Sequence, residues 1–303
     1  MLEVRLLGRF DVRLAGAPVE IPSRPAQSLF AYLVLSAGTA HRREKLAGLL
    51  WPDSGEESAR SNLRHTLWRM RKALESAGTP GRYLLTDDLS VSFDSRSDHW
   101  LDVGVLERAT EDESIDHLTT EVSVFGGELL PGFYDDWVVV ERERLQAVFD
   151  RKMRRLLDAL ATQQRWPELL EWGERWVATG NSPEPAYRAL MVAHAALGDM
   201  SNVASVYQRC TRSLRVELGV DPSEQTRALY ERLSRGERPV GVALSTEPAR
   251  RPSVAEEQTG PAPGESPYKG LQRFDESDAE LFFGREAQFE FAGSFHFGVQ
   301  FGS

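Results

Sequence analysis

The chain contains a single cysteine, Cys210, so no internal disulfide can form, which fits a reducing compartment. That thiol falls in a helical apolar pattern and reads as a buried, inert group, not a nucleophile. No stretch approaches the ~18 uncharged apolar residues of a membrane-spanning helix. The opening MLEVRLLGRFDV lacks a basic patch followed by a long apolar region, so no signal peptide is expected and the expected location is cytoplasmic. The six histidines (His41, His65, His99, His117, His194 and His296) form no HExxH or Cys/His cluster, and no metal site is expected. Neither GxSxG nor GxxxxGK[ST] occurs, so the nucleophile elbow and the phosphate-cradling loop of ATP hydrolysis are missing. Asp87-Asp88 and Asp135-Asp136 are adjacent acids in turn-like contexts. Neighbours on an extended chain point apart, so solvated turns are expected in place of a shared acid–base site. The expectation is a protein without enzymatic activity and without a cofactor.

What is present is unevenly charged. The net charge of −10 argues at first against a nucleic-acid partner, but its distribution argues the other way. Residues 1–95 hold 13 Lys and Arg against 11 Asp and Glu, while the remainder holds 23 against 35. Within residues 58–74, Arg60, Arg64, Arg69, Arg71 and Lys72 occur with no acid among them. Phosphate binding depends on such a local patch and not on the whole-chain sum.

The pattern along the chain predicts an α+β winged helix-turn-helix followed by an all-α, tetratricopeptide-like helical domain. Leu2, Val4 and Leu6, then Phe10, Val12 and Leu14, alternate with polar residues around Gly8 and the turn residues 15–18, predicting a small antiparallel sheet. Pro25 opens a helix with Leu29, Tyr32 and Leu33 on one face and Gly38 as its stop signal. A second short helix over 42–50 turns Leu46, Leu49 and Leu50 inward and ends at Trp51-Pro52. Ser54 and Glu57 have the spacing of a capping box. In the third helix, near residues 59–75, Leu63, Leu67, Met70 and Leu74 fall within a narrow arc at ~100° per residue. Ser61, His65, Trp68, Arg69 and Lys72 point away from that arc, with Arg64 and Arg71 flanking it. Arg60 lies nearer the apolar side than its charge suggests. Trp68 could meet a DNA sugar, but an outward Trp wastes apolar area, so packing against a neighbouring element is favoured. Gly78 and Pro80 end the helix. Residues 83–86 and 90–93 then alternate around Asp87-Asp88-Leu89, a hairpin.

From Trp100 to about Arg235 the spacing is helical, over 137–160, 166–179, 185–197 and 202–218. Leu169, Gly173 and Trp176 recur 34 residues later as Val203, Tyr207 and Cys210, the period of tetratricopeptide repeats. The Pro-, Gly-, Glu- and Ser-rich residues 236–266 read as a flexible linker. The organisation expected is a winged helix over 1–95, a helical domain over 98–235, that linker, and a new segment over 267–303.

Two helices, a basic third helix on an apolar backing and a hairpin form the order in which a winged helix lays its third helix in the major groove. A solvated cationic helix is the competing reading of the basic residues alone, and the order of elements weighs against it. His65 could bond a base or phosphate, or be solvated.

The run ARSNLRHTLWRMRKALESAG followed by YLLTDDLSVSFD resembles the OmpR-like winged helix of SARP-type regulators (Streptomyces antibiotic regulatory proteins). LRVELGVDPSEQTRALYERL, residues 214–233, resembles the close of their bacterial transcriptional activator domain. SPYKGLQRFDESDAELFFGREAQ resembles the opening of a STAND-type NTPase, whose P-loop would follow. Here no P-loop does, leaving a truncated larger regulator or one without its switch domain as alternatives. The resemblance implies an activator that binds direct repeats in double-stranded promoter DNA as a homodimer and recruits RNA polymerase holoenzyme through its sigma factor. Its expected targets are secondary-metabolite gene clusters. By the same resemblance Asn62, Arg64, His65, Arg69, Arg71 and Lys72 are candidate DNA contacts on the recognition helix, and Thr86 and Ser90 weaker ones on the wing. The alternative is a signalling scaffold whose repeat domain binds a protein partner and whose winged helix is structural, since fold alone does not fix function.

Overall fold

A computed structural model describes residues 1–76, 83–108 and 114–237. Gly78 and Pro80, most of the linker and all of the segment 267–303 lie outside the described residues.

The first strands follow the period-2 pattern. β1 (Leu2–Arg5) pairs antiparallel with β2 (Asp11–Leu14), placing Leu2 opposite Leu14 and Val4 opposite Val12, all four buried. β3 (Ala17–Pro18) extends that edge. α1 (Arg24–Leu35) carries Pro25 in its first turn and buries Leu29, Phe30 and Leu33, with Tyr32 only partly covered. Beyond its end, Gly38 takes φ +86° and its N–H donates to the Phe93 carbonyl at 2.9 Å, tying the helix exit to the hairpin. β4 (His41–Arg42) leads into α2 (Arg43–Leu50), which buries Leu46 and Ala47. Leu49 and Leu50 pack only partly. α3 (Glu56–Ser76) starts one residue later than the Ser54–Glu57 spacing suggests, with the Gly55 carbonyl accepting from Ala59 N–H.

β5 (Leu84–Thr86) and β6 (Ser90–Phe93) form the hairpin, and β4 adds to β6 to give a three-stranded sheet in the order β4-β6-β5. The first sheet is mixed, which corrects the antiparallel expectation. β7 (His99–Leu101) lies parallel to β1, giving the order β3-β2-β1-β7. Three residues, all partly exposed, are too few to show a period of two.

The rest is helical: α4 (Asp102–Leu106), α5 (Ile115–Ser123), α6 (Asp136–Thr162), α7 (Trp166–Ala178), α8 (Glu184–Ala196), α9 (Met200–Glu217) and α10 (Glu224–Ser234). Consecutive helices from α5 to α10 pack on one another, as antiparallel helix pairs require. The 34-residue period has a packing cause. Leu169, Trp176, Val203 and Cys210 are buried, and a Cβ on Gly173 would meet Leu190 Cδ2 at 2.8 Å, so α7 and α8 approach as closely as glycine permits. Tyr207 is partly covered and stacks on Tyr230 with ring centroids 4.1 Å apart.

Among the described residues, the strands and the helices share one core. The Asp102 carboxylate accepts from Leu6 N–H and Leu7 N–H, both at 2.8 Å. Gly8 N–H donates to the Glu128 carbonyl and Leu130 N–H to the Leu6 carbonyl, each at 2.8 Å. The chains cross so closely there that a Cβ on Gly8 would sit 2.6 Å from the Gly126 carbonyl carbon. Asp135, expected in a solvated turn, accepts from the Ser28 hydroxyl at 3.1 Å, so it helps dock α6 on α1. Among the described residues no helix is long and apolar enough to cross a membrane.

Candidate nucleic-acid interface

α3 rests on α1 and α2 through the arc that its periodicity marks: Leu63, Leu67, Met70 and Leu74 are buried, as are Ala59 and Thr66. That burial fixes the helix's rotation and turns Asn62, Arg64, His65, Arg69 and Lys72 out to solvent. Five exposed polar side chains, three of them permanent cations, thus share one helix face with no acid between them. Such a face can give charge-assisted bonds to phosphate and can bond base edges bidentately.

Trp68 corrects the expectation of internal packing. It is 58% exposed, and the Lys72 ammonium lies 5.2 Å from its ring centroid. A cation over an indole face offsets part of the exposed apolar area, and the pair keeps both side chains on the outward surface. Arg60 is spent locally, at 3.2 Å from Glu44 and also paired with Glu56.

The remaining candidates are engaged within the fold. The Arg71 guanidinium, half-buried, donates to the Thr86 hydroxyl, which ties α3 to the hairpin. The Ser90 hydroxyl donates to Asp87 Oδ2 at 2.7 Å, while Leu89 N–H and Ser90 N–H donate to Asp87 Oδ1 at 2.7 and 2.6 Å. These bonds, the Ser90 hydroxyl first, hold the Asp87 carboxyl below its ordinary range. Asp87 is therefore exposed, as expected, but it organises the turn.

Arg42 and Arg43 join the site although no sequence pattern singles them out. Arg43 donates through Nε and Nη2 to the Asp87 carbonyl at 3.0 and 2.9 Å, and its N–H donates to the Leu89 carbonyl at 2.9 Å. Arg42 stands opposite Ser90 in the β4–β6 register. The signal that could have found them is the basic run 41–43 before α2, which carries no periodicity.

Residues 103–234 match the family model for the bacterial transcriptional activator domain. The chain is 25% identical over 252 residues to the transcriptional regulatory protein EmbR of Mycobacterium tuberculosis, covering 77% of this chain and 63% of EmbR. It is 22% identical over 248 residues to the transcriptional regulatory protein MoaR1 of the same organism, covering 77% of this chain and 79% of MoaR1. The solved structure of M. tuberculosis EmbR in complex with a low-affinity phosphopeptide superposes with a TM-score of 0.63 at 21% identity, over 80% of this chain and 67% of that one. At that identity the superposition shows the shared architecture, a winged helix followed by helices, and nothing finer. The chain thus spans just under two thirds of EmbR's length. Residues 103–234 are thus similar to a bacterial transcriptional activator domain, and the longer stretch is similar to two proteins named as transcriptional regulators.

Proposed function

We propose that the chain is a sequence-specific DNA-binding transcriptional activator acting in the cytoplasm. In this reading residues 1–95 bind promoter DNA and residues 98–235 supply oligomerisation and effector contacts. The observation that carries the reading is the outward face of α3: Asn62, Arg64, His65, Arg69 and Lys72 are exposed together, on a helix whose opposite face is locked into the core, beside a hairpin pinned to it. The helix lies in the major groove, with His65, Arg69 and Lys72 towards base edges and Arg64 towards phosphate. Arg71, Thr86 and Ser90 serve chiefly to hold the wing against the helix. The operator is a direct repeat occupied by a homodimer, and RNA polymerase holoenzyme is recruited through its sigma factor to a secondary-metabolite gene cluster.

The phosphopeptide in the EmbR structure belongs to a longer chain and is not carried over to this one. The test selects duplexes from a randomised pool on the full chain, then compares wild type, R69A and K72A by gel shift across a salt series. Each variant should weaken binding, and the wild-type affinity should fall steeply with salt as counterions are released. If both variants keep the wild-type affinity and salt slope, the outward face of α3 does not meet DNA.

A further inference from the structure

Between the start of α2, the first half of α3 and the hairpin turn lies a cleft of about 400 Å³, lined by Arg42, Arg43, Glu44, Arg60, Leu63, Arg64, Asp88 and Leu89. Four arginines face two acids there, so the lining is cationic. The partners of each group decide what it is free to do. Arg43 is committed to the hairpin carbonyls, and Arg60 and Glu44 are committed to each other. Among the described residues that leaves the exposed side chains of Arg42 and Arg64 without an ion pair or hydrogen bond, in a cleft that also holds the unpaired side chain of Asp88.

Arg64 projects from the recognition helix and Arg42 from the strand that pairs with the wing. Two arginines from separate elements therefore line one cleft together with Leu63, and guanidiniums so placed can give charge-assisted bonds to a tetrahedral anion.

We infer that this cleft binds one backbone phosphate of the DNA, clamped between Arg42 and Arg64. The inference rests on the DNA-binding reading and adds to it a residue outside α3. Arg42 fixes where the strand enters between helix and wing and carries no sequence information, because a phosphate looks the same at every base pair. Asp88 at the rim opposes the same phosphate, so the wing turn limits affinity as well as shaping the cleft. Arg43 is a positioning residue: by holding the Asp87 and Leu89 carbonyls it sets the distance between Asp88 and the clamp.

Fluorescence anisotropy with the full chain provides the test, using two duplexes of about 30 bp, one of arbitrary sequence and one selected from the randomised pool, at several salt concentrations. R42A should weaken binding to both by the same factor, roughly three- to tenfold, and lower the salt slope by about 0.9. D88N should tighten binding to both. R69A serves as the control on α3, and thermal melts confirm that each variant is folded. If R42A leaves affinity and slope unchanged while R69A weakens binding, the clamp is wrong and the DNA-binding reading stands. A loss confined to the selected duplex would make Arg42 a base reader and overturn the phosphate assignment. No gain with D88N would place the backbone outside the cleft. Failure of the wild type to bind either duplex would overturn both the clamp and the reading beneath it.

Discussion

Asp102→Ala tests whether strands and helices stand or fall together. The Asp102 side chain is 2% exposed, and its Oδ2 accepts from the Leu6 and Leu7 amides at 2.8 Å each, while Oδ1 accepts from Val103 N–H at 2.8 Å. Removing it takes the side-chain acceptor from all three amides. At about 1–3 kcal/mol for each orphaned buried donor, the loss is about 3–9 kcal/mol. Relief of the carboxylate's own desolvation offsets part of it, so the lower half of that range is expected. Against the ~5–15 kcal/mol that usually separates folded from unfolded domains, this is a large fraction. The assay is urea unfolding of the full chain, followed by tryptophan fluorescence and by far-UV circular dichroism, with Trp51, Trp68 and Trp100 before α4 and Trp137, Trp166, Trp172 and Trp176 after it. One transition, coincident by both probes, should move to lower urea with its slope unchanged. Asp102→Asn, which keeps a single acceptor oxygen, should fall between wild type and Ala. Burial raises the Asp102 pKa above 3.8 in spite of the three amide bonds that lower it. The folded state therefore binds the proton more tightly than the unfolded one, and wild type should gain stability relative to Asp102→Asn as pH falls through the folded pKa towards 3.8. A loss below about 1 kcal/mol for Asp102→Ala, or two separated transitions in the wild type, would refute the argument.

Two further outcomes follow from buried groups in the helical half. Lys152 Nζ lies 2.5 Å from Glu121 Oε2 and donates to the Arg108 carbonyl at 2.8 Å, with both side chains almost fully covered. Lys152→Met removes the ammonium from beside a buried carboxylate and should cost about 3–5 kcal/mol in the same urea assay, whereas the double change with Glu121→Leu should recover part of that; equal losses for single and double variants would show that the pair is not coupled. Cys210 is fully buried and burial pushes its thiol up to about 12, so at pH 8 it should react with a thiol reagent only at the rate of unfolding, and rapid labelling of the native chain would contradict that.

What the sequence reveals is what repeats along one element. The rotation of α3 is legible because 21 residues give several turns over which Leu63, Leu67, Met70 and Leu74 can mark one side, and the hairpin is legible because four alternating residues flank an Asp-rich turn. β7 is not, because its three residues pair with β1 across almost a hundred positions, as does Asp102 with Leu6 at a separation of 96. No local pattern encodes such a partner. The candidate site divides the same way. Exposure of Asn62, Arg64, His65, Arg69 and Lys72 follows from the helix period alone. The use of Arg71 on Thr86, 15 residues away, and of Ser90 on Asp87 depends on how the hairpin folds back, which spacing does not show. Trp68 departs from its expected packing for an energetic reason: exposed apolar area argues for cover within the chain, but a surface that serves a partner can leave that area open until the partner arrives. An indole that stays exposed beside Lys72 is what a surface kept open for a partner would show, and under the proposed function that partner is DNA.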